Sequence, residues 1–132
     1  MNRCAPFLVS LALAAVLPAQ AASDGQYVHR NFPQNALRGK IAFGTPPSIQ
    51  LNGNATTLAT GARIHGVNNL LVLTGQLIGS QADVDYTTDL EGRVFEVWIL
   101  SPSEAANKPW PTTPAEAAAW HFDAFAQTWK KP

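Results

Sequence analysis

The sequence predicts a mainly β protein: a small antiparallel barrel or sandwich of five to seven short strands, followed by a helical C-terminal segment. Three observations carry this expectation. Between residues 40 and 100, short apolar runs alternate with glycine, asparagine and proline turns. Residues 82–100 read as two alternating strands about a glycine-bearing turn. After residue 101 the composition shifts to proline, alanine and tryptophan.

The elements follow in chain order. Residues 22–39 are polar and irregular, with Pro33 and Gly39 as breakers, and read as an extended lead-in to a β domain over residues 40–101. Lys40–Phe43 is a short strand, closed by Gly44 and Pro46-Pro47, and Ser48–Leu51 is the next. Asn52-Gly53 is a two-residue hairpin signal, because both positions of such a turn need positive φ. Ala55–Leu58 returns from it, and a short piece around Arg63-Ile64 is bracketed by Gly61 and Gly66. Leu70–Leu73 is an unbroken apolar run, which predicts a strand covered on both faces.

Ala82–Thr88 places Val84 and Tyr86 on one face and Asp83, Asp85 and Thr87 on the other, toward solvent. Asp89-Leu90-Glu91-Gly92 is a type I turn with glycine at the left-handed position. The return strand Arg93–Leu100 sets Phe95, Val97 and Ile99 against Val94, Glu96, Trp98 and Leu100.

Residues 102–132 form a proline-rich link and a tryptophan-rich tail. Ser101-Pro102-Ser103-Glu104 can start a helical turn, and Thr113-Pro114-Ala115-Glu116 is a second helix start with cap, proline and glutamate in place. A helix through Trp129 would align Ala118, Phe122, Phe125 and Trp129, and is the favoured form; it leaves Trp120 on the polar side. The alternative ends the helix near Trp120 and makes a hairpin about Asp123–Ala126.

The first 21 residues have the form of a secretory signal peptide. Arg3 precedes an apolar run from Ala5 to Leu17, and Ala19-Gln20-Ala21 has the small-x-small form of a cleavage site. The run is shorter than the ~20 residues of a spanning helix, so no transmembrane anchor is expected after cleavage. A lipoprotein's acylated cysteine would follow the run, but Cys4 precedes it. With Arg3 removed, 8 basic residues face 9 acidic ones, a net charge of −1. Such a chain lacks the basic surface that nucleic acid requires. Cys4 is the only cysteine, so the mature chain has no disulfide and no thiol chemistry. A periplasmic or secreted location follows.

Candidate functional residues are few. Trp98, Trp110, Trp120 and Trp129 fall within 32 residues. Trp110, Trp120 and Trp129 are the candidate binding residues, as exposed anchors, against the plainer reading of a lid packed on the β domain. Asp83 and Asp85, with Asp89 and Glu91, are the densest acidic group and the candidate cation ligands; a solvated strand face is the plainer reading. Glu96 could be a buried general acid, or could pair with Arg63 or Arg93. His29, His65 and His121 are 36 and 56 residues apart and read as surface histidines. No cofactor motif is present, and none is expected.

Several short motifs together resemble a group of small exported proteins of β-proteobacteria. They include Arg30-Asn31-Phe32-Pro33, Ala36-Leu37-Arg38-Gly39, Phe43-Gly44 with Pro46-Pro47, Leu51-Asn52-Gly53, Gly61-Ala62-Arg63-Ile64, Asn68–Val72 and Val97–Leu100. The resemblance spans roughly residues 30–100 and implies the envelope as compartment, but no activity or ligand. The expectation is a non-enzymatic binding or structural protein of the envelope, with an envelope protein or a glycan as partner. The alternative is a small hydrolase or metal-dependent enzyme using the acidic residues of the β domain.

Overall fold

The computed structural model describes residues 29–132. The expected signal peptide and the start of the expected lead-in lie outside the described residues. Five strands close into a barrel: β1 (Leu37–Phe43), β2 (Ser48–Leu51), β3 (Asn54–His65), β4 (Gln81–Thr88) and β5 (Val94–Ile99), in the order β1-β2-β3-β5-β4. All pairs are antiparallel except β3 with β5. The C-terminal segment adds two short helices, α1 (Pro102–Ala106) and α2 (Pro114–Ala119), and a hairpin of β6 (His121–Asp123) and β7 (Thr128–Lys130).

Alternation fills the barrel. Leu37, Ile41 and Phe43 of β1 meet Ile49, Leu58, Ile64, Val84, Tyr86, Val94 and Val97 in one buried cluster. β1 begins at Leu37 rather than Lys40, and Gly39 lies within it rather than breaking the chain before it. A Cβ on Gly39 would come 3.0 Å from Tyr86 Cε1 and 3.2 Å from Leu51 Cδ1, so the strand passes where only hydrogen fits. Asn52 and Gly53 turn the chain with φ of 51° and 84°, as the hairpin signal requires.

Four expectations change. The pieces Ala55–Leu58 and Arg63-Ile64 are one 12-residue strand, bent where its register on β5 shifts between Leu58 and Arg63, with Gly61 at φ 77°. The face assignment of β5 breaks at its start: Val94 and Val97 both enter the core, because a register irregularity opposite Thr87 and Thr88 resets the phase. Leu70–Leu73 is no covered strand. It belongs to an irregular β3–β4 connection holding one 3-10 turn (Thr74–Gln76) and a single bridge between His65 and Leu71.

The fourth change is the C-terminal segment, which is not a helix through Trp129. α2 stops at Ala119, and Trp120 is extended with φ −90° and ψ 157°. Asp123 Oδ1 then accepts from the N–H groups of Phe125 and Ala126, and Gln127 turns the chain at φ 54°. The hairpin places Phe122 directly opposite Trp129, ring centroids 4.7 Å apart. A continuous helix would have set Trp120 toward water. Among the described residues no helix is long and apolar enough to cross a membrane.

Candidate functional site

The tryptophans form a lid. Trp110 and Trp129 are buried with Phe32, Ala36, Trp98 and Leu100 in a second cluster outside the barrel wall, and Trp120 and Phe122 pack half-buried against it. The Trp110 indole N–H donates to Ala36 O at 3.0 Å. Lys131 lies over the Trp120 ring, 5.3 Å from its centroid. Trp110 and Trp129 are therefore unavailable as exposed anchors, because their rings are spent closing one face of the barrel.

Asp85 is the acid that the lid covers. It was expected on a solvent face, and alternation does point it out of the barrel, but the lid leaves it fully buried. Arg38 Nε donates to Asp85 Oδ1 at 2.8 Å, Arg38 Nη1 donates to Asn107 O at 2.9 Å, and the guanidinium lies 4.9 Å from the Trp110 ring centroid. Burial raises the Asp85 pKa, against the opposing hydrogen bond and charge of Arg38. A second clamp binds Arg30 to Glu104 at 2.6 and 3.0 Å, and to the carbonyls of Gly66 and Ile99. Burial raises the Glu104 pKa, but hydrogen bonds from Arg30 and Ser101 N–H and the charge of Arg30 outweigh it and hold the carboxyl below its ordinary value.

The two candidate cation ligands do not converge: Asp83 is exposed beside Lys40 on β1, and Asp85 is held by Arg38. No group of three His, Cys, Asp or Glu side chains among the described residues could hold a metal ion. Glu96 pairs with neither Arg63 nor Arg93. It accepts from His65 Nε2 at 2.9 Å, while Arg93 binds Asp89 and Glu91. His29 and His121 are exposed, but His65 is not: its ring stacks on Trp98 at 5.6 Å and 11°.

Six large apolar side chains are exposed among the described residues: Leu90 and Phe125 singly on turns, and four on one connection. Leu70, Leu71, Leu73 and Ile78 are 66%, 64%, 73% and 53% exposed, all within the β3–β4 connection. Residues 64–82 contain no Asp, Glu, Lys, Arg, Trp or Tyr. The backbone of this segment is pinned. Gly66 N–H donates to Leu70 O, Asn69 N–H to Gly66 O, Val72 N–H to Ile64 O, Leu77 N–H to Thr74 O, and Gly79 N–H to Phe43 O. Asn68 Oδ1 accepts from Leu70 N–H at 3.1 Å. Leu77 turns inward onto the barrel core. The segment thus holds its leucines outward on a fixed frame, and its surface can be dehydrated without stripping water from a charge. The sequence signal was the unbroken apolar run itself, read as a buried strand when it is an exposed loop.

Comparison with protein-family models, with curated proteins and with solved structures gives no match.

Proposed function

We propose that this chain is an exported, non-enzymatic binding protein of the bacterial envelope, periplasmic or secreted after loss of residues 1–21. It docks on a partner protein through Leu70, Leu71, Leu73 and Ile78. The observation that carries the reading is the exposure of these four side chains on an uncharged, internally hydrogen-bonded segment. Monomeric proteins seldom leave aliphatic surface grouped in this way unless something covers it. A lipid surface fits less well, because interfacial binding draws on tryptophan, tyrosine and basic residues, and residues 64–82 have none of these.

Export rests on the leader of residues 1–21, on the cysteine-free remainder and on the resemblance over residues 30–100. The non-enzymatic reading is supported by the engagement of the acids: Asp85 and Glu104 are bound to arginines and Glu96 to His65. The architecture agrees by analogy, since small five-stranded Greek-key barrels of the OB type serve widely as binding modules.

The test places a photo-reactive residue at position 71 in the full chain expressed with its own leader. One discrete adduct with an envelope protein is expected, lost in a Leu70→Ser/Leu73→Ser variant that keeps its melting temperature. An adduct pattern no different from that of a probe at exposed Ala118 overturns the docking. N-terminal sequencing tests export: the chain should begin at Ala22 outside the cytoplasm, and a cytoplasmic chain retaining Met1 ends that part.

A further inference from the structure

We propose that the cleft between β1 and the α1–α2 link is a second binding site, which takes the anionic group of an acidic glycan lying along the outer face of β1 and β2. The inference is independent of the apolar loop. The cleft has a volume of about 490 Å³, and Arg38, Lys40, Asn52, Asp83, Lys108 and Thr112 stand around it. Its floor is Gly39. The Asn52 side chain lies over that glycine, with Oδ1 3.1 Å from where a Cβ would sit. The same oxygen accepts from Lys40 N–H at 2.9 Å, which leaves the Asn52 amide nitrogen free to donate.

The charge in the cleft favours an anion. Arg38 and Asp85 neutralise each other. Lys40 and Lys108 are both exposed, and neither has a carboxylate within 4.0 Å among the described residues. Only Asp83 opposes them, as the cross-strand neighbour of Lys40. Lys108 stands on a fixed stem, because Asn107 O accepts from Arg38 and Asn107 Nδ2 donates to Gln127 O at 2.6 Å. Lys40, Lys108 and Asn52 thus line one open cleft.

The cleft continues. A second hollow of about 230 Å³ shares Lys40 and Asn52 and runs on to Ala42, Gln50 and Gln81. A third of about 350 Å³ shares Ala42 and Gln50 and ends at Ser48 and Ala55. The file follows β1 from Arg38 to Phe43, roughly 17 Å at the usual strand rise, so an oligomer fits it better than a single sugar. Along it Ser48, Gln50 and Gln81 both donate and accept, which suits hydroxyl groups, and Phe43 and Ile49 add apolar lining for the faces of a sugar ring. Single-stranded nucleic acid is a poorer fit, since it needs exposed rings for its bases and a cation for most phosphates. A peptide adding as a strand needs a free sheet edge, and β1 is paired on both sides.

The test is calorimetric titration of the mature chain with tetragalacturonate, with a neutral galactan tetramer, and with inorganic phosphate. Binding of tetragalacturonate well above the neutral tetramer supports a carboxylate-bearing glycan. Binding of phosphate alone, lost in the lysine variants, supports a phosphate-bearing one. Lys40→Ala and Lys108→Ala should each weaken the anionic probe by about 10-fold and the double variant should abolish binding, with Lys130→Ala unchanged. Equal affinity for the neutral tetramer, undiminished binding by the double variant, or no binding of either anion overturns the proposal.

Discussion

Arg38 joins the barrel wall, the α1 end and the lid. It neutralises Asp85, supports the carbonyls before Lys108 and lies against Trp110. Arg38→Ala would leave a fully buried carboxylate without its counter-charge, a change of about 3–5 kcal/mol at neutral pH. Asp85 then titrates further above its unfolded value, and a carboxyl with a raised folded pKa gains relative stability as it is protonated. The deficit of the variant should therefore shrink on acidification, as seen in urea melts at neutral and at acid pH. Glu104 has the opposite sign. Its folded pKa is lowered, so its contribution is present above the ordinary glutamate value and is lost as pH falls through the lowered one. Glu104→Gln should be less stable than the parent at neutral pH, by about 1–3 kcal/mol, and should lose less on acidification. Thermal melts across the acid range check both.

At the scale of elements, the C-terminal hairpin shows what the sequence could and could not reveal. The strands Ser48–Leu51 and Ala82–Thr88, the Asn52-Gly53 turn and the turn ending at Gly92 were legible, because their signals are local. The hairpin was ambiguous, because Phe122 and Trp129 satisfy a helical stripe and a period of two alike. The Trp110 ring, about 6 Å from both, decides between them, and that contact is tertiary. Asp85 was misplaced for a related reason. Its alternation was right, but a wall facing out of a barrel can still be covered by another element. Leu70–Leu73 failed in the other direction, since an apolar run predicts burial only where a neighbour exists to supply it. Of the candidate sites, the tryptophans take the plainer of their two readings, the lid, with Trp110 and Trp129 buried and Trp120 half-buried, and the cleft at Lys40 and Lys108 draws on residues 68 apart, which no local pattern joins.

The hairpin supplies a direct test. Trp129→Ala should cost about 3–5 kcal/mol, because it empties the centre of the lid cluster. Phe125→Ser, at the fully exposed tip of the same turn, should stay within about 0.5 kcal/mol of the parent. Denaturant midpoints separate the two.

Across the whole molecule, barrel and lid should unfold as one cooperative unit. The lid covers Asp85, Trp98 and Leu100, which the barrel alone would leave facing water. Truncation after Asn107 should abolish the single sharp thermal transition and expose apolar surface to a hydrophobic dye. A truncated chain that melts as sharply as the parent would mean that the lid is an accessory.

The bond from Phe32 N–H to the Gln127 side chain spans 95 positions, and Arg30 reaches Glu104 across 74. Contacts so far apart along the chain are slow to form, because most of the chain must be arranged before they gain anything. Synthesis from the N-terminus delivers the last barrel strand before Gln127 and Trp129, so the contacts of the lid become possible only later. Until Trp129 is free, the nascent molecule cannot complete its native state, whatever it has already assembled. The native state therefore waits on Gln127 and Trp129, which tie the start of the described chain to its C-terminal hairpin.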